Sequence, residues 1–69
     1  MIKIELERIL KERSMTSKEL AEIIGITEAN LSILRSGKAK AIRFETLEKI
    51  CNALDCEVGD ILKYEKEEF

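Results

Sequence analysis

The feature that most constrains this chain is a pair of helix-start signals separated by one glycine. Thr16 precedes Glu19 by three residues, the spacing of a capping box, in which the threonine hydroxyl accepts from the Glu19 amide and the carboxylate reaches back. Gly25 ends the helix that follows, because the residue after a helix often needs a positive φ, which glycine adopts cheaply. Thr27 then starts another helix. The spacing predicts two short helices joined by the turn 25–27.

The rest of the chain also follows a helical pattern. The 69 residues include no proline and three glycines, one of which, Gly37, closes the second of these helices. Apolar residues recur at helical spacing and predict a buried face for each of four helices, with a fifth turn or helix near 58–62. The predicted buried residues are Leu6, Ile9, Leu10 and, as a further candidate, Ile2; Leu20, Ala21, Ile23 and Ile24; Leu31 and Leu34; and Phe44, Leu47, Ile50, Cys51 and Leu54.

The two ends of the domain alternate apolar and polar residues. Ile2 and Ile4 lie at one end, and Leu62 and Tyr64 at the other. This period of two predicts two short terminal strands that could pair antiparallel. In the alternative, Ile2 extends the first helix and Tyr64 covers the core. Strands this short are only marginally stable by themselves. A further possible arrangement is therefore that the strands of two chains pair with each other and form a dimer.

Composition excludes several classes of protein. No apolar run approaches the roughly 18 residues that a membrane span requires. With no histidine and only Cys51 and Cys56, one chain cannot supply a four-ligand zinc site, and we expect no metal and no cofactor. The chain has no histidine, no glycine-rich phosphate loop and no evident pair of buried carboxylates to perform acid–base catalysis, so we do not expect an enzyme. No signal peptide precedes the cysteines, which predicts a reduced, cytoplasmic protein with structural thiols.

Charge is distributed unevenly along the chain. The formal net charge is −2, yet residues 29–44 contain no carboxylate, whereas residues 55–69 contain six. Salt screens surface charges over about 8 Å, so a local basic patch can act despite a distant acidic tail. Charge alone would still favour an ordinary solvated surface. The cations of the acid-free segment 29–44 are Arg35, Lys38, Lys40 and Arg43.

The residues around Gly25 meet the requirements of a helix-turn-helix motif. Ala21 is the small residue that lets the two helices approach, and Gly25 permits the tight turn between them. The joint needs apolar residues, and the chain supplies Leu20, Ile24, Ile26, Leu31 and Leu34. The combined spacing predicts a DNA-binding motif over about 17–36, rather than a helical hairpin without a nucleic-acid function.

The segment Met15–Gly37, MTSKELAEIIGITEANLSILRSG, resembles the lambdoid phage repressor and Cro (XRE-like) family of helix-turn-helix domains. The resemblance extends through the basic loop 38–43 and Phe44. It implies an all-α fold, a five-helix phage-repressor-like DNA-binding domain, over residues 1–64, followed by an acidic tail, 65–69, that we expect to be mobile. It also implies sequence-specific binding of double-stranded DNA by a transcriptional regulator, a repressor before an activator.

The same resemblance implies the site residues. Ser17 lies where family members commonly place a glutamine that touches a base and a phosphate, and the shorter serine favours the phosphate contact. Lys38, Lys40 and Arg43 lie where the family clamps the sugar-phosphate backbone. The outward face of the third helix, which would lie in the major groove, comprises Thr27, Glu28, Ala29, Ser32, Ile33 and Ser36.

The chemistry of base edges sharpens these roles. Glu28 can only accept, so it would bind a cytosine amino group, while Ala29 and Ile33 could pack on thymine methyls and Asn30 could reach an adenine or a phosphate. Other interpretations stay open. Glu28 is also placed to complement the helix dipole. Ile33 could contact a protein, and Arg35 could be tied to an acid elsewhere.

Two kinds of protein partner are also expected. A recognition helix reads only a few base pairs, whereas two helices about 34 Å apart read successive turns of the groove. This favours a weak homodimer, with Ile61, Leu62, Tyr64 or the face beside the fifth helix at its interface. The competing function is an antitoxin that binds a toxin protein and autoregulates its operon, and a scaffold that binds protein through the third helix is the remaining one.

Overall fold

The structure of the protein is a computed structural model, in which residues 1–67 are described. Within them the chain forms the predicted five helices and two short strands, in the order β1, α1 to α5, β2. Glu68 and Phe69, the end of the predicted mobile tail, lie outside the described residues. The bounds are β1 Ile2–Ile4, α1 Leu6–Glu12, α2 Ser17–Ile24, α3 Glu28–Arg35, α4 Phe44–Leu54, α5 Val58–Ile61 and β2 Leu62–Tyr64.

The two helix-start signals act as predicted. The Thr16 hydroxyl accepts from the Glu19 amide at 3.1 Å, and the Glu19 carboxylate accepts from the Thr16 amide at 3.1 Å. Gly25 adopts a φ of 77°, in the left-handed region. The Thr27 hydroxyl then accepts from the Asn30 amide at 3.1 Å. These local bonds fix where α2 ends and where α3 begins. They therefore help to set the angle between the two helices.

The core is made where α2 packs against α3 and α4, with α1 and α5 closing the far side. No buried side chain within residues 1–67 is polar or charged. Arg13, directly after α1, donates from Nε to the Leu54 carbonyl at 2.8 Å and so binds α1 to the end of α4. The buried residues are Leu6, Ile9, Leu10, Leu20, Ala21, Ile24, Leu31, Leu34, Leu47, Ile50, Leu54 and Ile61.

Two residues predicted to be buried, and the further candidate Ile2, are exposed instead. Ile23 retains 59% of its accessible surface and Phe44 retains 89%. Each helical residue advances by about 100°, which puts both side chains roughly a quarter turn away from the centre of the buried stripe of their helices. Cys51 is also nearer the edge of that stripe than predicted and is half-buried. Apolar character alone therefore made the predicted stripes too wide.

The terminal strands pair with each other within one chain. β1 is antiparallel to β2, with Ile2 opposite Tyr64 and Ile4 opposite Leu62. The alternative was wrong on both counts, because Ile2 lies in a strand and Tyr64 is 72% exposed. Glu65 continues the pairing, since its amide donates to the Met1 carbonyl at 2.8 Å. The pair of strands β1 and β2, called here the terminal ribbon, thus extends to Glu65, the first residue of the predicted tail.

The two thiols are half-buried and lie on the α4–α5 side of the domain. Burial raises the pKa of the Cys56 thiol, and the neighbouring Cys51 raises it further. A thiol that stays protonated is a weak nucleophile, in keeping with the predicted structural role. Within residues 1–67 no helix is long and apolar enough to cross a membrane. The same residues form no cluster of potential metal ligands.

Candidate nucleic-acid interface

Helix α3 presents one side to the core and the other outward. Leu31 and Leu34 are buried against α2 and the rest of the core. At about 100° per residue, Ala29 and Ser36 lie opposite them, at the centre of the outward face. Both are exposed, as is Ile33 beside them, whereas Ser32 is half-buried. This outward side of α3, called here the α3 face, contains four of the residues predicted for it, namely Ala29, Ser32, Ile33 and Ser36. Of the other two, Thr27 precedes the helix as its N-cap and Glu28 lies at its flank.

A groove runs along one flank of the α3 face, between α3 and the start of α4. Asn30 and Ile33 line it from α3, and Arg43 and Thr46 line it from the other side. Its remaining lining is apolar and includes Ile26, Leu34, Ala39, Ala41 and Ile42. The fold therefore brings Arg43, which is distant in sequence from Asn30, to the same groove.

The opposite flank of the α3 face carries a second hollow, between α3 and the helices α1 and α2. Ser17 at the start of α2 lines it together with Glu28 and Arg35 of α3. Lys11 and Lys18 line it as well, and sequence reasoning missed both. The position of Lys18 directly after Ser17 was a usable signal, whereas nothing local places Lys11 of α1 beside α3.

The loop 38–43 is held to the domain by its apolar residues. Ala39 and Ile42 are half-buried and pack on the core. Lys38, Lys40 and Arg43 are exposed. Because the anchors face inward, the three cations project to solvent beside the α3 face. Of the three, Arg43 lines the groove against Asn30 and Ile33. That the three cations together bind the DNA backbone stays a prediction.

The cations of the loop 38–43 have no carboxylate partner among the described residues 1–67. Within residues 1–67, the ion pairs are confined to the ribbon, α1 with the adjoining Arg13, and α4. None of them includes Arg35, Lys18 or a cation of the loop 38–43. The interpretation in which Arg35 is tied to an acid is thus not supported among the described residues.

The sequence matches a family model over residues 5–67, that of the Cro/C1-type helix-turn-helix DNA-binding domain. The chain belongs to this family. It is 57% identical over 65 residues to YozG of Bacillus subtilis (strain 168), which is named an HTH-type transcriptional regulator. The match covers 94% of this chain and 77% of that protein.

Solved structures agree with this assignment. The transcriptional regulator VanUg superimposes with a TM-score of 0.73 and is 29% identical, covering 90% of this chain and 84% of that one. The biofilm regulator SinR, solved in complex with DNA, gives a TM-score of 0.71 at 28% identity, over 77% of this chain and 84% of its own. A protein from Bacteroides fragilis gives 0.82 at 24% identity over 91% of this chain and all of its own, which shows the shared fold.

In this Cro/C1-type domain, the two hydroxyl groups at the ends of α3 differ in what they can still bond. The Thr27 hydroxyl accepts from a backbone amide, so its own hydrogen stays available to a phosphate oxygen. The Ser36 hydroxyl donates to the Ile33 carbonyl at 2.9 Å. Its remaining capacity is to accept, which suits a base amino group better than a phosphate.

Proposed function

We propose that this Cro/C1-type domain regulates transcription by inserting the α3 face into the major groove of double-stranded DNA. The observation that carries the proposal is an exposed helix face with cations beside it, namely Lys18, Arg35 and those of the loop 38–43, that form no ion pair within residues 1–67. With its side chains, an α-helix such as α3 is about 10–12 Å across. A major groove about 12 Å wide admits one such helix, and phosphates line both of its edges.

The proposed contacts divide into base readers and phosphate binders. Glu28, Ala29 and Ile33 would read bases, because their side chains present an acceptor and two apolar surfaces at the groove floor. Cations and hydroxyls at the flanks would position the domain on the backbone. The complete proposed set is Ser17, Thr27, Glu28, Ala29, Asn30, Ser32, Ile33, Ser36, Lys38, Lys40 and Arg43.

The proposal places residues 1–64 in the DNA-binding domain and gives the protein a binding role in the cytoplasm rather than a catalytic one. Repression is favoured over activation, because a domain bound at a promoter can exclude another protein from the same DNA without contacting that protein. An antitoxin role is less well supported, since the relative at 57% identity is named as a transcriptional regulator and SinR was solved with DNA.

Matched isoleucines on α2 and α3 test the base-reading face. Sites bound by the parent are selected from random duplexes, and the selection is repeated with Ile33→Ser and with Ile23→Ser. Both residues are exposed, but only Ile33 lies on the α3 face. We expect the first variant to lose a preference for thymine at one position and the second to select the parental motif. A parent that enriches no motif would refute the proposed function.

We also propose a weak homodimer that forms through the apolar side of the terminal ribbon. Ile2 and Tyr64 lie opposite each other and are 63% and 72% exposed. Ile61, which the sequence placed at this interface, is only 1% exposed and belongs to the core instead. A two-stranded sheet has exposed strand edges, and here it also has exposed apolar side chains. A second copy of the chain can cover such a surface.

Light scattering over micromolar concentrations tests the dimer. Tyr64→Glu should abolish concentration-dependent association, because it puts a charge into the apolar contact. Lys63→Glu adds an acid at the adjacent position, whose side chain points to the other side of the strand, and should leave association intact. A parent that stays monomeric and protects only one half-site in footprinting would contradict the proposal.

A further inference from the structure

Three polar side chains meet in the otherwise apolar groove between α3 and the start of α4. Asn30 lies on α3, Arg43 lies directly before α4, and Thr46 lies in the first turn of α4. Asn30 and Arg43 are exposed, whereas Thr46 is half-buried. The proposed set of DNA-binding residues contains the first two but not Thr46.

The packing of α4 holds Thr46 in this groove. Ile50, one turn later on the same side of α4, is buried in the core. The residue before Thr46, Glu45, does not line the groove. Its carboxylate lies 3.2 Å from the Lys49 amine, on the exposed side of α4. The groove therefore receives the threonine and not the neighbouring acid.

The three polar groups of the groove all have hydrogen bonds left to make. Among the described residues 1–67, the side chains of Asn30, Arg43 and Thr46 take part in no hydrogen bond and no ion pair. An amide, a guanidinium and a hydroxyl can all donate, and the guanidinium adds a positive charge. A phosphodiester is their complement, because it is negatively charged and its free oxygens only accept.

The position of the groove indicates which phosphodiester would enter it. Ile33 belongs to both the α3 face and the lining of the groove, so the groove opens onto that face. A helix about 10–12 Å across fills a major groove about 12 Å wide, so its flanks lie against the phosphates at the edges. Asn30 follows Ala29 and is therefore about 100° away from the centre of the α3 face. It lies at such a flank, away from the base edges.

We propose that Asn30, Arg43 and Thr46 together bind one phosphate of the DNA strand at this edge of the major groove. The inference rests on the proposed function, since it uses the same docked helix. It assigns Asn30 to the phosphate rather than to an adenine, and it adds the Thr46 hydroxyl as a backbone contact. Arg43 supplies the charge, and the two neutral donors fix where the phosphate lies and thus the register of α3 in the groove.

A neutral donor to a phosphate has a distinct signature in binding measurements. Its loss removes no charge, so the salt dependence of affinity should not change, whereas loss of Arg43 should lower the slope by about one unit. It touches no base edge, so its loss should weaken all duplexes by the same factor. A methylphosphonate, which is neutral, should remove the same interaction from the DNA side, so the two losses should not add.

The test compares Thr46→Val, Thr46→Ser, Arg43→Ala and Asn52→Ala with the parent. Valine removes the hydroxyl at nearly constant shape, serine retains it, and Asn52 is an exposed polar residue of α4 outside the groove. Affinity is measured by fluorescence anisotropy on the selected site and on an unrelated duplex, from roughly 50 to 200 mM salt. Thr46→Val should bind both about tenfold more weakly at an unchanged slope, as for the loss of one hydrogen bond to a charged group. Thr46→Ser should keep most of the affinity, and Asn52→Ala should match the parent.

Single methylphosphonates placed along the selected site then identify the phosphate. At one position the neutral group should weaken the parent, and at that position alone Asn30→Ala, Arg43→Ala and Thr46→Val should lose most of their effect. Asn30→Ala should also select the parental motif from random duplexes, because a phosphate contact carries no direct sequence information.

Each other outcome overturns a separate statement. If Thr46→Val binds like the parent while Arg43→Ala is weakened, the Thr46 contact is refuted and the docked face stands. If no variant and no methylphosphonate weakens binding, the proposed function fails as well. A valine effect that serine shares, or that persists at every methylphosphonate, would make Thr46 a support of α4 and not a phosphate contact.

Two further results would replace parts of the proposal. A changed motif with Asn30→Ala would make Asn30 a base reader. A loss of self-association in Thr46→Val at unchanged half-site affinity would make a second copy of the chain the occupant of the groove. Thermal unfolding monitored by circular dichroism verifies that each variant is folded, and the methylphosphonate scan of the parent requires no variant.

Discussion

The cations of α1 and those of the loop 38–43 have very different surroundings in the fold. In α1, Arg8 lies 2.9 Å from the Glu12 carboxylate, and Lys11 lies 4.0 Å from that of Glu7. The loop 38–43 carries three exposed cations, and none of them has an ion-pair partner within residues 1–67. Positively charged side chains are thus paired with carboxylates in α1 and without such partners, among the described residues, in the loop 38–43.

The difference originates in the local spacing of charges. Carboxylates stand four residues before or after the cations of α1, so pairs form on the helix surface. Between Glu28 and Glu45 the chain has no carboxylate at all. A net charge of −2 therefore says little about the binding surface, because screening makes the local balance decide which partner is attracted.

The largest expected effect on DNA binding comes from removing the three cations of the loop 38–43. A triple variant, Lys38→Ala, Lys40→Ala and Arg43→Ala, should weaken binding to every duplex and lower the salt slope by about three, one unit for each lost phosphate contact. Titrations at several salt concentrations measure the slope directly. The charge of the chain changes from −2 to −5.

A second triple variant is the matched control. Lys3→Ala, Arg8→Ala and Lys49→Ala remove the same charge, but each of these cations is already paired, to Glu65, Glu12 and Glu45 respectively. We expect its slope to stay close to the parental value. Equal slopes in the two triples would mean that net charge governs binding and that the contrast between the two regions has no functional meaning.

Much of the framework behind this contrast could be predicted from the sequence, because it depends on local bonds. The cap at Thr16, the left-handed Gly25 and the cap at Thr27 each involve neighbours within a few residues, and all three were confirmed. The strands at the termini were predicted by period-two alternation. The choice between pairing within and between chains was left open, since it depends on tertiary packing.

The errors share one physical cause. Ile23 and Phe44 are apolar and stand at helical spacing, but burial depends on where neighbouring helices lie, which periodicity does not specify. Ile61 was predicted at an interface because its environment was unknown, and it is a core residue. Lys11 reaches the flank of α3 only through the packing of α1, so no local signal indicates it.

A smaller effect is expected at Glu28, the carboxylate at the start of α3 and the last one before the acid-free segment. Glu28→Gln replaces an acceptor by a group that can bond adenine bidentately, so one position of the selected site should shift from cytosine to adenine, by about 1–3 kcal/mol of discrimination. Selection from random duplexes measures this shift. An unchanged motif would make Glu28 a partner of the helix dipole and not a base reader.

The smallest effect is expected where the cations are already paired. Arg8 bonds Glu12 at 2.9 Å with about half of each side chain exposed, so solvent screens the pair and its net value is small. A double-mutant cycle with Arg8→Ala and Glu12→Ala, followed by urea unfolding, should give a coupling of about 0.3–0.5 kcal/mol that declines as salt is added. DNA affinity should stay at the parental level in both single variants. A coupling well above 1 kcal/mol would assign the α1 pairs a structural role. The ion pairs of α1 would then stabilise the fold, and not merely neutralise surface charge, whereas the cations of the loop 38–43 would serve binding.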